Sequence, residues 1–316
     1  MDLRLTRRDA LTLLGGAVLT GAAGAAAAAQ PVPPSRRAIG IVSRHLQWTD
    51  LDGAVAVAKE AGFDAIEWNV RKGGHVAPER VEQELPRAIE ATRKAGLAAT
   101  MITTSIQDAQ SPFAEPILRA AQAANIRWYR GGEYFRYDYA KPLIPQLEAL
   151  KPRLAGLAAL NRKYGTTWAY HTHSAPGMIG GGVWDIWQAI RDFDPASIAL
   201  NFDIGHVTAR NGAGWIDAAT VVAPFIAALA VKDARWEKGS RGWRAEFVPI
   251  GDGIIDLTRM AGVLDRVGFA GPINIHYEHS GLLGTDLGTW TLPITRERFL
   301  EIVRKDLEAV RQGLSA

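Results

Sequence analysis

The 316-residue chain contains no cysteine. A disulfide framework is therefore excluded, and a packed core has to hold the fold together. No run of ~18 uninterrupted apolar residues occurs, which argues against a membrane-spanning helix. No block of Lys and Arg is long enough to suggest nucleic-acid binding, since 36 basic residues face 33 acidic ones for a net charge of +3. No Gly-rich phosphate loop follows the first predicted strand. No internal repeat and no second domain are visible.

The N-terminus carries a distinct pattern. In MDLRLTRRDALTLLGGAVLTGAAGAAAAAQP, Thr6-Arg7-Arg8-Asp9 precedes a weakly apolar run from Ala10 to Ala29 that ends in small residues. This reads as a cleavable twin-arginine export signal over residues 1–29. It predicts a periplasmic protein that uses the export machinery for folded proteins and keeps no stable membrane anchor after cleavage. Three arginines against two aspartates in that segment leave the mature chain near +2. Residues 30–37 form a Pro-rich tether, and residues 38–316 form the body. A single α/β barrel of ~250 residues fits that length.

The body alternates β-rich runs with amphipathic helical stretches. The predicted strands are "AIGIVSRHL" (38–46), "FDAIEWNV" (63–70), "LAATMITTSI" (97–106), "IRWYRGGEY" (126–134), "TTWAYHTHS" (166–174), "IALNFDIGH" (198–206), "IAALAVKDA" (226–234) and "GPINIHYEH" (271–279). Helices between them stop at Gly62, Gly96, Asn125, Gly165 and Gly268, as C-capping predicts. Eight strands alternating with helices argue for a parallel sheet closed into a (β/α)8 TIM barrel, as a single domain. An open doubly wound sheet is the alternative.

Parallel barrel strands are buried on both faces, so their polar residues need a reason, and in barrels that reason is the C-terminal mouth. Side chains alternate faces along a strand. His171 and His173 share a face, as do Asn201 and Asp203. Asn274, His276 and Glu278 share another, and Glu67 lies with Asn69. Arg130 and Lys232 each end a strand on one face. In every case the polar set lies toward the C-terminal end, which predicts one convergent cluster. Structural roles remain open for several of them. Glu67 has Arg44 or Arg71 as possible partners, His206 can cap a loop, and Lys232 can pair with Asp233. His279 reads as structural, and His45 and His75 as surface or rim residues. Most of the ten tryptophans should fill the core. Trp48, Trp68, Trp236 and Trp243 fall near strand ends, where flat faces suit sugar rings.

The segments "DLDGAVAVAKEAGFDAIEW", "NFDIGH", "VKDARW", "VPIGDGIIDL" and "GFAGPINIHYEH" resemble the xylose-isomerase-like barrels, the sugar phosphate isomerase/epimerase family. The resemblance runs from about Ala38 to the C-terminus. It rests on Asp-x-x-His, Lys-Asp, Pro-x-Gly-x-Gly and an acidic or His-bearing last strand, in that order. It implies a divalent metal at the mouth. Asp203 matches the family's Asp, and His206 the His three residues on. His171 stands where the fifth strand usually has Glu, and His276 where the eighth does, with Glu278 one pleat further. The usual seventh-strand His is replaced by Ala230. A His-rich set suits Zn, Mn or Co better than Mg or Ca.

The reading is a metal-assisted isomerase, epimerase or lyase that abstracts a proton next to a carbonyl of a keto-sugar or 3-keto-glycoside. His171, Asp203, His206 and His276 are the expected ligands. Glu67, Lys232 and Glu278 are the expected catalytic groups, and Trp68, Arg130 and His173 the expected substrate contacts. Lys232 either replaces metal charge or serves as acid/base. A sugar-binding barrel that has lost its metal is the competing reading.

Overall fold

The short apolar runs become β1 (Ile39–Val42), β2 (Ala65–Asn69), β3 (Ala98–Thr103), β4 (Trp128–Arg130), β5 (Thr167–His171), β6 (Ile198–Asp203) and β7 (Ile226–Val231). A hairpin, β8 (Asp233–Gly239) and β9 (Gly242–Val248), precedes β10 (Ile273–Ile275). This computed structural model describes residues 37–132, 134–240, 242–279 and 290–315. The predicted leader and nearly all of the tether lie outside the described residues. Among those described, no helix is long and apolar enough to cross a membrane.

All strands except the hairpin pair in parallel and close in the order β1-β10-β7-β6-β5-β4-β3-β2. An open sheet would leave two edges. Here β1 pairs with both β2 and β10, which settles the choice for the barrel. Helices cover the outside: α1 (Leu51–Ala61), α2 (Val81–Lys94), α3 (Ala114–Ala123), α4 (Leu143–Glu148) and α5 (Leu150–Tyr164). They continue with α6 (Trp184–Ile190), α7 (Ile204–Asn211), α8 (Trp215–Val222), α9 (Leu257–Arg266) and α10 (Arg296–Leu314). The Asp50 side chain accepts from Gly53 N to open α1, and Gly62 closes it at φ 92°. The stretch "IPQLEALKPRLAGLAALNRKYG" is not the single helix its pattern suggests. Pro152 has no N–H to give the Glu148 carbonyl, and the chain divides at Ala149 into α4 and α5.

Strand alternation builds two shells. Outward-facing Ile66, Trp68, Trp168, Tyr170 and Phe202 are buried beneath the helices. Burying a large apolar side chain contributes about 1.5–3 kcal/mol, so this outer shell carries most of the stability. Facing inward, Met101, Ala169 and Ala228 form a separate small cluster against Trp128. The next inward position on each of these strands is Thr103, His171, Ala230 or Arg130. On three of those four strands the interior therefore turns polar within one pleat of that cluster. Gly40 faces the same interior, and a Cβ there would meet Asn274 Oδ1 at 2.2 Å.

Candidate active site

The polar strand ends converge as expected. Two register shifts, at Ile66/Glu67 and Leu200/Asn201, fall where the inward residues become polar. Such irregularities re-aim side chains. Asp203 ends β6 and caps α7, with Oδ1 accepting from His206 N at 2.8 Å. The Asp-x-x-His spacing thus has a local cause: the cap places His206 in the first helical turn, beside the carboxylate that holds it. The N-cap role belongs to Asp203, not to His206.

Lys232 follows β7 on its inward face and is buried. Its Nζ lies 2.8 Å from Asp203 Oδ2, 2.9 Å from His206 Nε2 and 2.5 Å from Glu278 Oε1. Burial pushes the ammonium toward neutrality, but Asp203 and Glu278 outweigh it and raise its pKa. Burial likewise opposes ionisation of Asp203 and Glu278. Lys232 foremost outweighs it and holds both below the usual carboxylate range. The next residue faces away. Asp233 accepts backbone N–H bonds from Gly251, Gly253 and Ile255 and so pins the Pro-x-Gly-x-Gly loop. A Cβ on Gly253 would fall 2.0 Å from Asp233 Oδ1, so that close approach requires glycine. The Lys-Asp dipeptide is therefore not an ion pair with itself: one residue serves the site and the other holds the loop.

Glu67 is fully enclosed. It accepts hydrogen bonds from Thr103 Oγ1 and, at 2.8 Å, from Asn274 Nδ2, and His276 Nε2 lies 3.9 Å away. Burial alone would raise its pKa, but His276, Thr103 and Arg130 together lower it, so it is an ionised buried carboxylate. It pairs with neither candidate arginine. Arg71 instead donates to the carbonyls of Thr104 and Gly131. Arg130 is buried and donates to Tyr134 Oη at 2.7 Å. The Tyr134 ring packs 4.6 Å from that of His173, which packs 3.8 Å from His206.

Several buried atoms at the mouth have no hydrogen-bond partner, among them His171 Nε2, Asp203 Oδ2, His276 Nε2, Arg130 Nε and Asn274 Oδ1. Asp203 Oδ2 is charge-paired with Lys232, but at an angle that makes no hydrogen bond, and it lies 3.4 Å from His171 Nε2. The His171 and His276 rings stack at 5.1 Å. Unpartnered imidazole nitrogens on His171 and His276, with the Lys232-paired carboxylate of Asp203 near the first, are the donor types a divalent cation takes, although His276 stands outside the groups close enough to share one. Among the described residues, ligand atoms of His171, Asp203 and His206 lie within 4.8 Å of one another, as do those of His173, His206 and Glu278. His206 is the poorer donor. Its Nε2 accepts from Lys232 and its Nδ1 faces Ser174 Oγ at 3.0 Å. The Asn201 amide lies 3.1 Å from His171 Nδ1. The facing atom is Asn201 Nδ2; turning the amide over brings its oxygen there, where it accepts from Nδ1–H and leaves Nε2 a free lone pair. Burial, and after it the Arg130 charge, keeps His171 well below its usual pKa. Burial does the same for His276, so both stay neutral as ligation requires.

The cluster opens into a cavity of about 250 Å³ lined by residues that include Arg44, Arg130, Tyr134, His173, His276 and Glu278. Trp68 is not brought to it. Its indole faces outward, buried against α2, with Nε1 donating to Thr92 Oγ1 at 3.1 Å. His45 is no rim residue. It is buried at the cavity wall, and its Nε2 accepts from Tyr277 N. His75 is half-buried, with Nε2 3.2 Å from the Thr49 carbonyl. His279 is structural as expected, 3.0 Å from Asp306 of α10. Asn201, Asn274 and Tyr134 are site residues to which the sequence assigned no role. The two asparagines share faces with Asp203 and His276, which was their signal. Tyr134 closes the predicted 126–134 run but lies beyond Gly131-Gly132, past the end of β4 at Arg130.

Comparison with known proteins follows the same line. The family model described as xylose isomerase-like TIM barrel matches residues 55–298. Among solved structures, D-psicose 3-epimerase with D-tagatose from Clostridium cellulolyticum H10 superposes with a TM-score of 0.62 at 15% identity, covering 88% of this chain and 99% of that one. The IolI protein with a bound zinc atom gives 0.62 at 12% identity, covering 88% and 100%. The 3-keto-D-glucoside 4-epimerase from E. coli gives 0.56 at 14% identity, covering 76% and 91%. At these identities the likeness is one of fold. No curated protein sequence matches. The chain belongs to the xylose isomerase-like TIM barrel family.

Proposed function

We propose that this barrel is a metal-assisted sugar isomerase or epimerase that removes a proton next to the carbonyl of a keto-sugar or 3-keto-glycoside. The observation that carries the reading is the pair of unpartnered imidazole nitrogens, His171 Nε2 and His276 Nε2, with the Asp203 carboxylate and a paired lysine and glutamate at the barrel mouth. Those three residues would hold the ion, and the nitrogen-rich set favours Zn, Mn or Co. When bound, the ion would supply Lewis-acid stabilisation of charge on the substrate oxygens.

The chain's own groups divide the remaining work. Glu278 lines the cavity and is ionised, so it takes the proton. The Lys232 ammonium is fixed against Glu278 and stabilises the enediolate charge as it develops. Arg130 and Tyr134 orient the sugar hydroxyls, with His173 beside them. Glu67 is sealed from the cavity and acts behind His276, keeping that ring in place. Trp68, buried against α2, takes no part. The competing sugar-binding reading leaves the pair of buried Lys232 and half-buried Glu278 without a use.

Deuterium exchange tests the proposal. In D2O, wild-type protein reconstituted with Mn or Zn should place deuterium on the carbon next to the carbonyl of D-fructose, D-tagatose or a 3-keto-glucoside, read by NMR. Glu278→Gln should slow that exchange by about 10²–10⁴-fold while keeping the metal. Binding of these sugars without any exchange would leave the non-catalytic reading in its place. Export to the periplasm is part of the proposal and rests on the Arg7-Arg8 leader alone. Cell fractionation checks it, and a cytoplasmic, full-length product would contradict it.

A further inference from the structure

The β8–β9 hairpin stands outside the barrel wall, and its two faces differ in kind. Strand pairing sets Ala234 opposite Phe247, Trp236 opposite Ala245 and Lys238 opposite Trp243, all on one face. The other face carries Arg235, Glu237, Arg244 and Glu246, which form two ion pairs, Arg235–Glu237 and Arg244–Glu246. A hairpin needing only solubility has no use for the first arrangement. Trp236 is 42% exposed and Trp243 65% exposed.

The aromatic face starts at the site. The Phe247 ring lies edge-on, 4.9 Å from the His206 ring, and the Lys232 ammonium sits 5.6 Å from its centroid. Phe247 and Trp236 are diagonal neighbours across the ladder, and so are Trp236 and Trp243. Diagonal neighbours lie ~7–8 Å apart, so the three rings form a staircase that leaves the barrel mouth in steps close to the width of a sugar ring. The cavity at the mouth, about 250 Å³, holds little more than one such ring.

We infer that this hairpin face is a stacking platform for sugar rings beyond the reacting one, so that the substrate is a glycoside or short saccharide. The inference rests on the proposed sugar chemistry for the choice of ligand. Its physical basis is the continuity of Phe247, Trp236 and Trp243 with the catalytic groups. Flat apolar rings suit the C–H faces of pyranoses, while sugar hydroxyls stay in water at the platform's edge.

The experiment compares D-glucose with cellobiose and maltose on the wild type and on Trp236→Ala/Trp243→Ala, read by tryptophan fluorescence and isothermal titration. The wild type should bind at least one disaccharide about tenfold more tightly than glucose, the equivalent of about 1.4 kcal/mol. The double variant should lose that advantage and leave glucose affinity unchanged, and Trp236→Phe/Trp243→Phe should restore part of it. Equal affinity for mono- and disaccharides in the wild type would overturn the inference, as would an advantage that survives the double alanine change. If the double variant instead turns a dimer into a monomer in sedimentation and leaves sugar binding intact, the face is an interface between copies and the inference falls. The two readings fail separately. A disaccharide preference without deuterium exchange on any keto-sugar sinks the catalytic proposal alone. Exchange on free ketoses with no preference sinks the platform alone.

Discussion

The two ends of the barrel hold cavities of the same size, about 250 Å³ each, and opposite chemistry. The one at the N-terminal ends of the strands is lined by Trp128, Thr167, Ala199, Phe225, Ala227 and Phe269, among others. Its charged residue among those described, Arg127, lies over the Trp128 ring at 5.6 Å. The cavity at the C-terminal ends gathers imidazoles, an arginine and a carboxylate, with Lys232, Asp203 and Glu67 directly behind its wall. The strands are the same, and what changes along them is two or three inward positions each. Space alone does not make a site. A site needs buried donors that their neighbours cannot satisfy, gathered on imidazole and carboxylate groups, and among the described residues His171, Asp203 and His276 gather at the C-terminal end.

The comparison breaks most sharply at Asp203. Asp203→Asn keeps the shape and the cap oxygen but removes the charge that faces Lys232 and His171. Metal affinity and turnover should both fall by about 100-fold or more, measured by titration and by deuterium exchange. A variant with full metal content and full exchange would mean that the orphaned oxygen is not a ligand.

Acid should loosen the mouth before the rest of the barrel. Burial holds His45, His171 and His276 below their usual pKa, and burial together with the His206 and Lys232 charges lowers His173 to about 3. The unfolded chain binds protons near pH 6.5 that the folded protein refuses. Stability is therefore complete above pH 6.5 and declines as pH falls, by up to about 1.4 kcal/mol per pH unit for each such histidine. The urea midpoint at pH 5.5 should lie below that at pH 8, and an unchanged midpoint would place these rings in water.

The apolar layer directly beneath the site, where Met101 stands beside Glu67 in the register, should respond in the opposite sense. Met101→Ala opens a void in the small inner cluster and should cost about 2–5 kcal/mol of stability in urea unfolding. Its effect on turnover at permissive temperature should be the smallest of the three. A loss of metal from this variant would show that the inner layer and the mouth are not independent.

Much of this architecture is legible in the chain. The eight barrel strands stand out because each is a continuous apolar run that turns polar at one end, and the Asp-x-x-His and Lys-Asp pairs fall where those runs stop. Parity also excludes Trp68 from the mouth. The residue after an inward Glu67 has to face outward, so its placement near a sugar was a misreading of a usable signal. His45 was illegible for another reason. It lies in the turn after β1, where no period applies, and only the backbone of Tyr277, 232 positions away in sequence, makes it a buried acceptor. The hairpin escaped because its charged face breaks the apolar run that marks a barrel strand. Its alternation of Trp, Ala and Phe with Arg and Glu is the period-2 pattern of an exposed two-faced strand.

Anomalous diffraction from crystals soaked in Mn or Zn tests the account at its centre. The account predicts one strong peak per chain at the mouth, about 2.0–2.2 Å from His171 Nε2, Asp203 Oδ2 and His276 Nε2. The same soak of His276→Ala should lose most of that peak. No peak at the mouth, or a peak coordinated without any of these three atoms, would contradict it.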